Sequence, residues 1–238
     1  MPISFGFTKS SIFKTRPWQP TDISGILTWY KADVGVLDAN DNKVSSNNTQ
    51  IKTWQDQSGN NNHLVQTTAA SQGLYKTSQQ NGLPAVQFDG SNDFYVTTNR
   101  LTTARTVFIV HKWSVTNDDW RPILGDSITY NFHGGAANGT LFYTSDGAST
   151  LETRFVYLGS QYVNGVLTAP NATARYTTCK LVSVVTTANC CFDQISKDRT
   201  FSERQFSGQM HEIIAYDTAL SNTDRQKVEN YLLARWGI

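Results

Sequence analysis

The sequence predicts an all-β domain that ends in a single helix, and composition and strand spacing both point to this fold class. The 238 residues include 29 Thr and 18 Asn but only 4 Glu. Threonine suits strand surfaces and asparagine suits turns, whereas glutamate favours helices. Strand-like segments recur at intervals of about 8–12 residues with Gly, Asn and Asp between them, which is typical of an antiparallel sandwich. A hydrophobic share of 39% is sufficient for a packed core and excludes a disordered chain.

The predicted strands begin after Gly25 and continue almost to the end of the chain. TVFIVHKW is the most apolar of them, so we expect a central strand that is buried on both faces. Asn164-Gly165 tolerates the positive φ angles of a tight hairpin turn within residues 162–167. In order, the segments are ILTWYKA (26–32), IKTW (51–54), HLVQ (63–66), PAVQFDG (84–90), DFYVTT (93–98), TVFIVHKW (106–113), WRPIL (120–124), ITYNF (128–132), TLFYTS (140–145), ETRFVYLG (152–159), RYTTCKLVSVVTT (175–187), CCFDQIS (190–196) and GQMHEIIAYD (208–217).

The last segment of the chain is the one that predicts a helix. Ser221 is a suitable N-cap, and Asp224 three residues later completes an approximate capping box. Gly237 is suited to end the helix. The residues that form one stripe at helical spacing are Val228, Tyr231, Leu232, Arg235 and Trp236.

Charge, hydropathy and cysteine count exclude several classes of protein. A net charge of +1 gives no electrostatic footprint for nucleic acid or for an anionic membrane. No apolar stretch is long enough for a transmembrane helix, and the N-terminus has no signal-peptide pattern. Cys179, Cys190 and Cys191 are an odd count with two neighbours, which is neither a disulfide framework nor a zinc site. We therefore expect synthesis in a reducing cytoplasm.

Three sequence blocks together resemble the concanavalin A-like, laminin-G-like jelly-roll domains of phage virion proteins and bacterial surface proteins. The blocks are GILTWYKAD with WQDQSGNNNH (25–33 and 54–63), NGLPAVQFDGSNDF (81–94) and the closing FSGQMHEIIAYDTALSNTDRQKVENYLLARWGI (206–238). The resemblance implies one antiparallel jelly-roll sandwich with a C-terminal helix over residues 22–238. It also implies a virion surface protein, with a bacterial cell-surface or secreted protein as the alternative.

Residues 1–21 are predicted to be an extended N-terminal arm. They lack sustained periodicity but carry four spaced aromatic residues, Phe5, Phe7, Phe13 and Trp18. Such arms dock by adding a strand or filling a groove. The expected partners are a capsid or tail protein, or a second copy of this chain. The alternative is a strand that packs on the edge of the domain itself.

The sequence gives little support for catalysis. Glycoside hydrolysis on this fold would need two carboxylates roughly 5–10 Å apart. The four Glu are Glu152, Glu203, Glu212 and Glu229, and none lies in a paired-carboxylate motif. Glu212 and Asp217 are five residues apart, which puts them on opposite faces of a regular strand. We therefore expect that the protein is not an enzyme. A glycan hydrolase is the third of the three hypotheses for its function.

No cofactor is predicted, although calcium is left open. Asp38, Asn40 and Asn42 begin like a calcium loop, but Lys43 stands where such a loop has glycine. A solvated polar turn explains the same residues. The alternative hypothesis that includes calcium is a lectin or adhesin domain that binds carbohydrate with the help of a calcium ion.

Two loops are the best candidates for a binding surface. Sugars pack their C–H faces on aromatic rings while their hydroxyls need planar polar partners. The candidate glycan platform consists of Trp113, Asn117, Asp119, Trp120, Tyr130, His133 and Tyr143. We therefore predict a non-catalytic attachment or decoration module that docks on another virion protein, with these loops as its candidate platform for cell-surface glycans. The alternative is that the same aromatic residues belong to the core of the sandwich.

Overall fold

The computed structural model describes residues 16–115, 120–135, 139–142, 153–169 and 174–238. Within these ranges the chain forms twelve strands and two α-helices. The strands are β1 (Ile26–Lys31), β2 (Val36–Leu37), β3 (Thr53–Trp54), β4 (Leu64–Val65), β5 (Leu74–Gln80), β6 (Leu83–Asp89), β7 (Tyr95–Trp113), β8 (Leu124–Gly125), β9 (Ser160–Val163), β10 (Val166–Thr168), β11 (Lys180–Ile195) and β12 (Ser207–Tyr216). The helices are α1 (Thr153–Tyr157) and α2 (Asn222–Trp236).

All twelve strands belong to one antiparallel sheet. Its main path runs β10-β9-β11-β7-β12-β6-β5. Strand β1 pairs with β12, β8 pairs with β11, and β2, β3 and β4 form a small meander that joins the start of β7. A mostly antiparallel β fold with a C-terminal helix is therefore confirmed.

Two strands are much longer than the sequence segments that predicted them. DFYVTT and TVFIVHKW both lie in the 19-residue β7, and CCFDQIS continues the 16-residue β11. These two strands pair along most of their length, with register shifts that begin between Val185 and Cys190. Irregularities of this kind bend a strand and increase its twist. The pairing of β7 with β11 is interrupted at each of these irregularities and resumes beyond it, so the two strands stay partners along most of their length.

The two faces of the sheet bury separate cores. Neighbouring residues of β12 alternate between them, with Ile213 in the larger core and Ile214 in the smaller core under helix α2. The central part of β7, residues 107–110, is completely buried on both faces, as predicted. The larger core includes Tyr30, Trp54, Phe88, Tyr95, Phe192 and Phe206, and the smaller core includes Trp29, Phe108, Leu181, Tyr216, Leu232 and Trp236.

Helix α2 has the predicted ends. The Ser221 hydroxyl accepts a hydrogen bond from the backbone N–H of Asp224 at 3.2 Å. Gly237 ends the helix in the left-handed conformation with φ 62°. An N-cap of this type contributes about 1 kcal/mol to helix stability. Trp236 is fully buried, so the last turn of the helix belongs to the smaller core.

A buried carboxylate fixes helix α2 to the sheet. Glu212 on β12 accepts hydrogen bonds from the indole Nε1 of Trp29 at 2.7 Å, the indole Nε1 of Trp236 at 2.8 Å and Nε of Arg235 at 2.9 Å. Arg235 also forms an ion pair with Asp33 at 2.6 Å. Burial raises the pKa of Glu212, and Arg235 and the two indoles oppose that shift. This group, the Glu212 network, joins β1, β12 and α2.

The WQDQSGNNNH block forms a tight turn around one aspartate. Asp56 accepts hydrogen bonds from the backbone N–H groups of Trp29, Ser58 and Asn62 at 2.8–3.0 Å. His63 Nδ1 accepts from the backbone N–H of Asp56 at 3.1 Å. These hydrogen bonds give the block a structural role, and Trp54 is buried beside Tyr30.

Two of the predicted strands do not form. Residues 153–157 of the segment ETRFVYLG are helix α1, in which Thr153 and Val156 are buried. A spacing of three places both side chains on one face of a helical turn, and this tertiary contact overrides the strand preference of the aromatic residues. ITYNF is loop, and its side chains contact β11 and the loop that follows it: Phe132 packs on Phe192, Asn131 Oδ1 accepts from the backbone N–H of Cys191, and Tyr130 lies under Arg199.

The start of the described chain packs on helix α2. Trp18 meets Tyr231 edge to face at a centroid distance of 6.0 Å. Residues 20–22 form a 3-10 turn, and the Tyr216 hydroxyl donates to the carbonyl of Pro20 at 2.9 Å. Of the predicted docking residues, Phe5, Phe7 and Phe13 lie outside the described residues, whereas Trp18 contacts its own domain.

Candidate functional site

Two loops that are distant in sequence meet at one end of the sheet and form the candidate site. One loop precedes and follows β8, and the other connects β11 to β12. Together they bring six side chains into contact: Trp120, Tyr130, His133, Arg199, Phe201 and Arg204. This group is called the aromatic–arginine cluster below.

Aromatic and basic side chains alternate around the cluster. Arg204 lies over the rings of Trp120 and Phe201, with its guanidinium carbon 5.6 and 4.1 Å from their centroids. Arg199 lies over Phe201 and Tyr130 at 4.7 and 3.4 Å. His133 lies between the two remaining aromatic residues, with its ring centroid 5.4 Å from that of Trp120 and 5.9 Å from that of Tyr130. Cation–π contacts of this kind contribute about 0.5–2 kcal/mol each.

A buried aspartate holds the cluster from below. Asp198 is 1% exposed and contacts His133 Nδ1 at 2.6 Å and Arg199 Nη2 at 2.8 Å. His133 is itself 6% exposed, so a substrate could not reach the imidazole that Asp198 orients. Asp198 is thus a positioning residue for one basic and one imidazole side chain of the cluster.

The backbone of both loops is strained at the cluster. Trp120 has φ 59°, Arg199 has φ 53° and Ser196 has φ 67°. Non-glycine residues seldom adopt this left-handed conformation, and each instance costs on the order of 1–3 kcal/mol. Ser196 is held by hydrogen bonds to the carbonyl of Asp93 and from the N–H of Phe206. Strain of this kind is commonly found where loops are shaped for binding.

The cluster offers both apolar surface and hydrogen-bond donors. Tyr130 and Phe201 are 36% and 39% exposed. The Nε and Nη1 atoms of Arg199 are buried and have no hydrogen-bond partner among the described residues, so Arg204, which is half-buried, is the arginine that a ligand can reach. A guanidinium that lies flat on a ring keeps its N–H groups directed sideways, where they fit carboxylate, phosphate or hydroxyl oxygens. The arrangement therefore suits an oxygen-rich ligand with an apolar face.

Three residues of the predicted glycan platform come together in the cluster, namely Trp120, Tyr130 and His133. Trp113 does not, because it is 1% exposed and packs against Phe206 at a centroid distance of 4.5 Å. Its ring is part of the larger core and has no face to offer a sugar. The predicted platform residues Asn117, Asp119 and Tyr143 lie outside the described residues.

Sequence reasoning missed the second loop of the cluster. Arg199, Phe201 and Arg204 lie in the stretch SKDRTFSER (196–204), which has no motif and resembles a solvated charged loop. They reach the other loop only through the tertiary fold. The alternation of arginine with aromatic residues is the one signal that could have drawn attention to them.

Asp38, Asn40 and Asn42, the candidate calcium ligands, form a turn in which the aspartate is hydrogen-bonded to the two asparagines. Asp38 Oδ1 accepts hydrogen bonds from the backbone N–H groups of Asn40 and Asn42 at 2.8 and 2.9 Å. These bonds lower the pKa of Asp38. Among the described residues, no group of three His, Cys, Asp or Glu side chains could hold a metal ion.

The described glutamates do not form a catalytic pair. Glu212 and Glu229 are 0% and 2% exposed, and each is engaged with an arginine. Glu203 is exposed, and Glu152 lies outside the described residues. Burial of Glu212 inside its network agrees with a structural role for this carboxylate.

Comparison with known proteins leaves the family open. No protein-family model and no curated protein matches the chain. A solved structure with some similarity is Trypanosoma rangeli sialidase in complex with sialic acid, at 12% identity and a TM-score of 0.44. The alignment covers 87% of this chain and 33% of the sialidase chain, so this chain spans about a third of that protein. A similarity of this size supports no inference about activity or ligand.

A search of the described residues for helices long and apolar enough to cross a membrane finds none.

Proposed function

We propose that this protein is a non-catalytic attachment module that binds carbohydrate through the aromatic–arginine cluster. The observation that supports this function best is the combination of the exposed Tyr130 and Phe201 rings with the half-buried guanidinium group of Arg204 in one strained pair of loops. The C–H face of a sugar would pack on the rings, and its ring oxygen and hydroxyls would accept hydrogen bonds from the guanidinium group of Arg204.

The finer fold assignment is part of the same proposal. A concanavalin A-like jelly roll would place these loops at one end of a sandwich, where loops are free to vary and to bind. The antiparallel sheet with a core on each face is consistent with that arrangement. Location on a virion surface, and docking on a capsid or tail protein, stay predictions of the family resemblance.

A glycan array followed by calorimetry with the best hit tests the binding function. Phe201→Ala and Tyr130→Ala should each lower affinity roughly 5–150-fold, which corresponds to about 1–3 kcal/mol of lost ring contact. Val96→Ala is the matched control, because Val96 is 37% exposed and lies outside the cluster. Loss of their cation–π contacts should lower the melting temperatures of the two cluster variants by several degrees, so affinity is compared at a temperature at which every variant is fully folded.

Two results would contradict the proposal. One is an array without any bound glycan, and the other is a bound glycan whose affinity none of the cluster variants changes. Release of reducing ends from a broad polysaccharide panel would separately overturn the non-catalytic part of the proposal.

A further inference from the structure

Among the described residues, the outermost strand at one end of the sheet exposes apolar side chains on both of its faces. Strand β10 lies at one end of the strand order and pairs with β9. Val166 and Leu167 are 67% and 63% exposed. Because neighbouring strand residues point to opposite faces, this edge is apolar above and below the sheet. Strand β10 is short, with three residues, and none of the three is charged or a proline.

The register shows which groups of β10 face outward. Val166 and Val163 flank the two-residue Asn164-Gly165 turn, so they form the hydrogen-bonded pair of the hairpin. Leu167, the next residue, therefore directs its backbone N–H and C=O away from β9 toward the open edge. Leu167 pairs with Tyr162, whose ring lies 3.6 Å from the guanidinium carbon of Arg225 on helix α2. The side chain of Leu167 is thus on the face of the sheet that carries α2.

The N-terminal arm contains a short segment that matches this edge. Residues 3–8 read Ile-Ser-Phe-Gly-Phe-Thr, with Ile3, Phe5 and Phe7 at every second position. A strand with this alternation has one apolar face and one small polar face. Added beside β10, it would pair with the backbone groups of Leu167 and cover the Leu167 side chain with its apolar face.

Geometry favours the arm of a second copy over the arm of the same chain. The arm enters the domain at Trp18, which contacts helix α2 on the side of β1. Five strand spacings separate β1 from β10, about 24 Å, and α2 stands about 10 Å high on that face. The ten steps from Thr8 to Trp18 span at most about 36 Å when fully extended, whereas a path that rises over the helix, crosses the five strand spacings and descends to the edge is about 44 Å long. A neighbouring molecule has no such constraint.

We propose that residues 3–8 of one copy add as a strand to the open edge of β10 in a second copy. Each molecule then offers one arm and one edge, so the contact is head-to-tail and generates a closed ring or an open chain of subunits. This assembly is independent of the carbohydrate function proposed above.

Light scattering during gel filtration of the full-length chain tests this assembly. At about 100 µM the parent protein should exceed the mass of one 26.5 kDa chain. Leu167→Lys, which disables the edge, and the double change Phe5→Lys with Phe7→Lys, which disables the arm, should each weaken self-association at least tenfold. Ile128→Lys is the control, because Ile128 is also 67% exposed but lies on a distant loop. Thermal melting should be unchanged in all variants.

Mixing the two disabled variants provides the decisive measurement. The edge-disabled copy still has its arm, and the arm-disabled copy still has its edge, so a 1:1 mixture should form a dimer and nothing larger. A parent protein that stays a single chain would overturn the proposal. Assembly that survives Leu167→Lys, or a mixture without the 1:1 dimer, would overturn it equally.

Discussion

Replacing Glu212 by glutamine removes one negative charge from the centre of the Glu212 network without changing the size of the side chain. The carboxylate accepts hydrogen bonds from Trp29 on one oxygen and from Trp236 and Arg235 on the other. A glutamine amide has one acceptor oxygen and one donor NH2 group. At least one of the buried N–H groups of the network must then face another donor.

The size of the effect follows from burial. Glu212 is 0% exposed, so water cannot replace the lost acceptor. A buried donor left without a partner costs about 1–3 kcal/mol, and loss of one member of a buried ion pair costs about 3–5 kcal/mol. Asp33 still neutralises part of the charge of Arg235, so we expect a loss near 3 kcal/mol in the free energy of unfolding. In a chain of this length that corresponds to roughly 6–12 °C in melting temperature.

Calorimetry and urea unfolding of Glu212→Gln give this loss directly. Glu203→Gln is the matched control, because Glu203 is exposed and should change stability by less than about 0.5 kcal/mol. If both variants melt within about 1 °C of the parent protein, the Glu212 network does not hold helix α2 to the sheet and the reasoning is wrong.

Three further predictions concern buried or constrained side chains. Burial lowers the pKa of His111 from 6.5 to about 4 and that of His211 from 6.5 to about 3. Below pH 6.5 the unfolded protein therefore binds protons at these residues while the folded protein does not, so the free energy of unfolding falls as the pH drops from 6.5 toward those values. Between pH 6.5 and 5 the free energy of unfolding, measured in urea, should fall about 1.6 kcal/mol less in His211→Phe than in the parent protein, and equal losses would contradict the prediction. Asn164→Ala should cost about 1–2 kcal/mol in the same assay, because Asn164 has φ 48° and its Oδ1 accepts from the N–H of Leu181 at 2.9 Å, whereas Asn164→Asp should cost less. Burial raises the pKa of the Cys179 thiol to about 12, so peptide mapping should find Cys179 unlabelled by a thiol reagent at pH 8 in the folded protein and labelled in urea.

The sequence predicted best those features whose causes are local. The N-cap at Ser221, the αL end at Gly237 and the Asn164-Gly165 turn each depend on a few neighbouring residues, and all three are confirmed. Helix α1 was mistaken for a strand, because residues 152–159 carry strand-favouring aromatics and the helical contacts of Val156 are made with distant parts of the chain.

The candidate site was only half predictable for the same reason. Trp120 and Tyr130 were identified from their aromatic character beside polar loops, but the identical argument selected Trp113, which ends a buried strand. Nothing in the sequence near Arg199 or Arg204 indicates that they stack on those rings. They reach those rings because the loop between β11 and β12 lies beside the loops on either side of β8.

Strand β1 pairs with strand β12, so it cannot complete its hydrogen bonds until almost the whole of the printed sequence has been synthesised. Trp29 and Glu212 are 183 residues apart in sequence yet share a hydrogen bond. At ribosomal rates of about 5–20 residues per second, β1 waits roughly 9–37 s for its partner to be synthesised. Non-local pairing of this kind slows folding, and unpaired strand edges are the sites at which nascent chains aggregate. The yield of folded protein should therefore depend on how well the cell shields that first strand, and slower growth at low temperature or added chaperone should raise it.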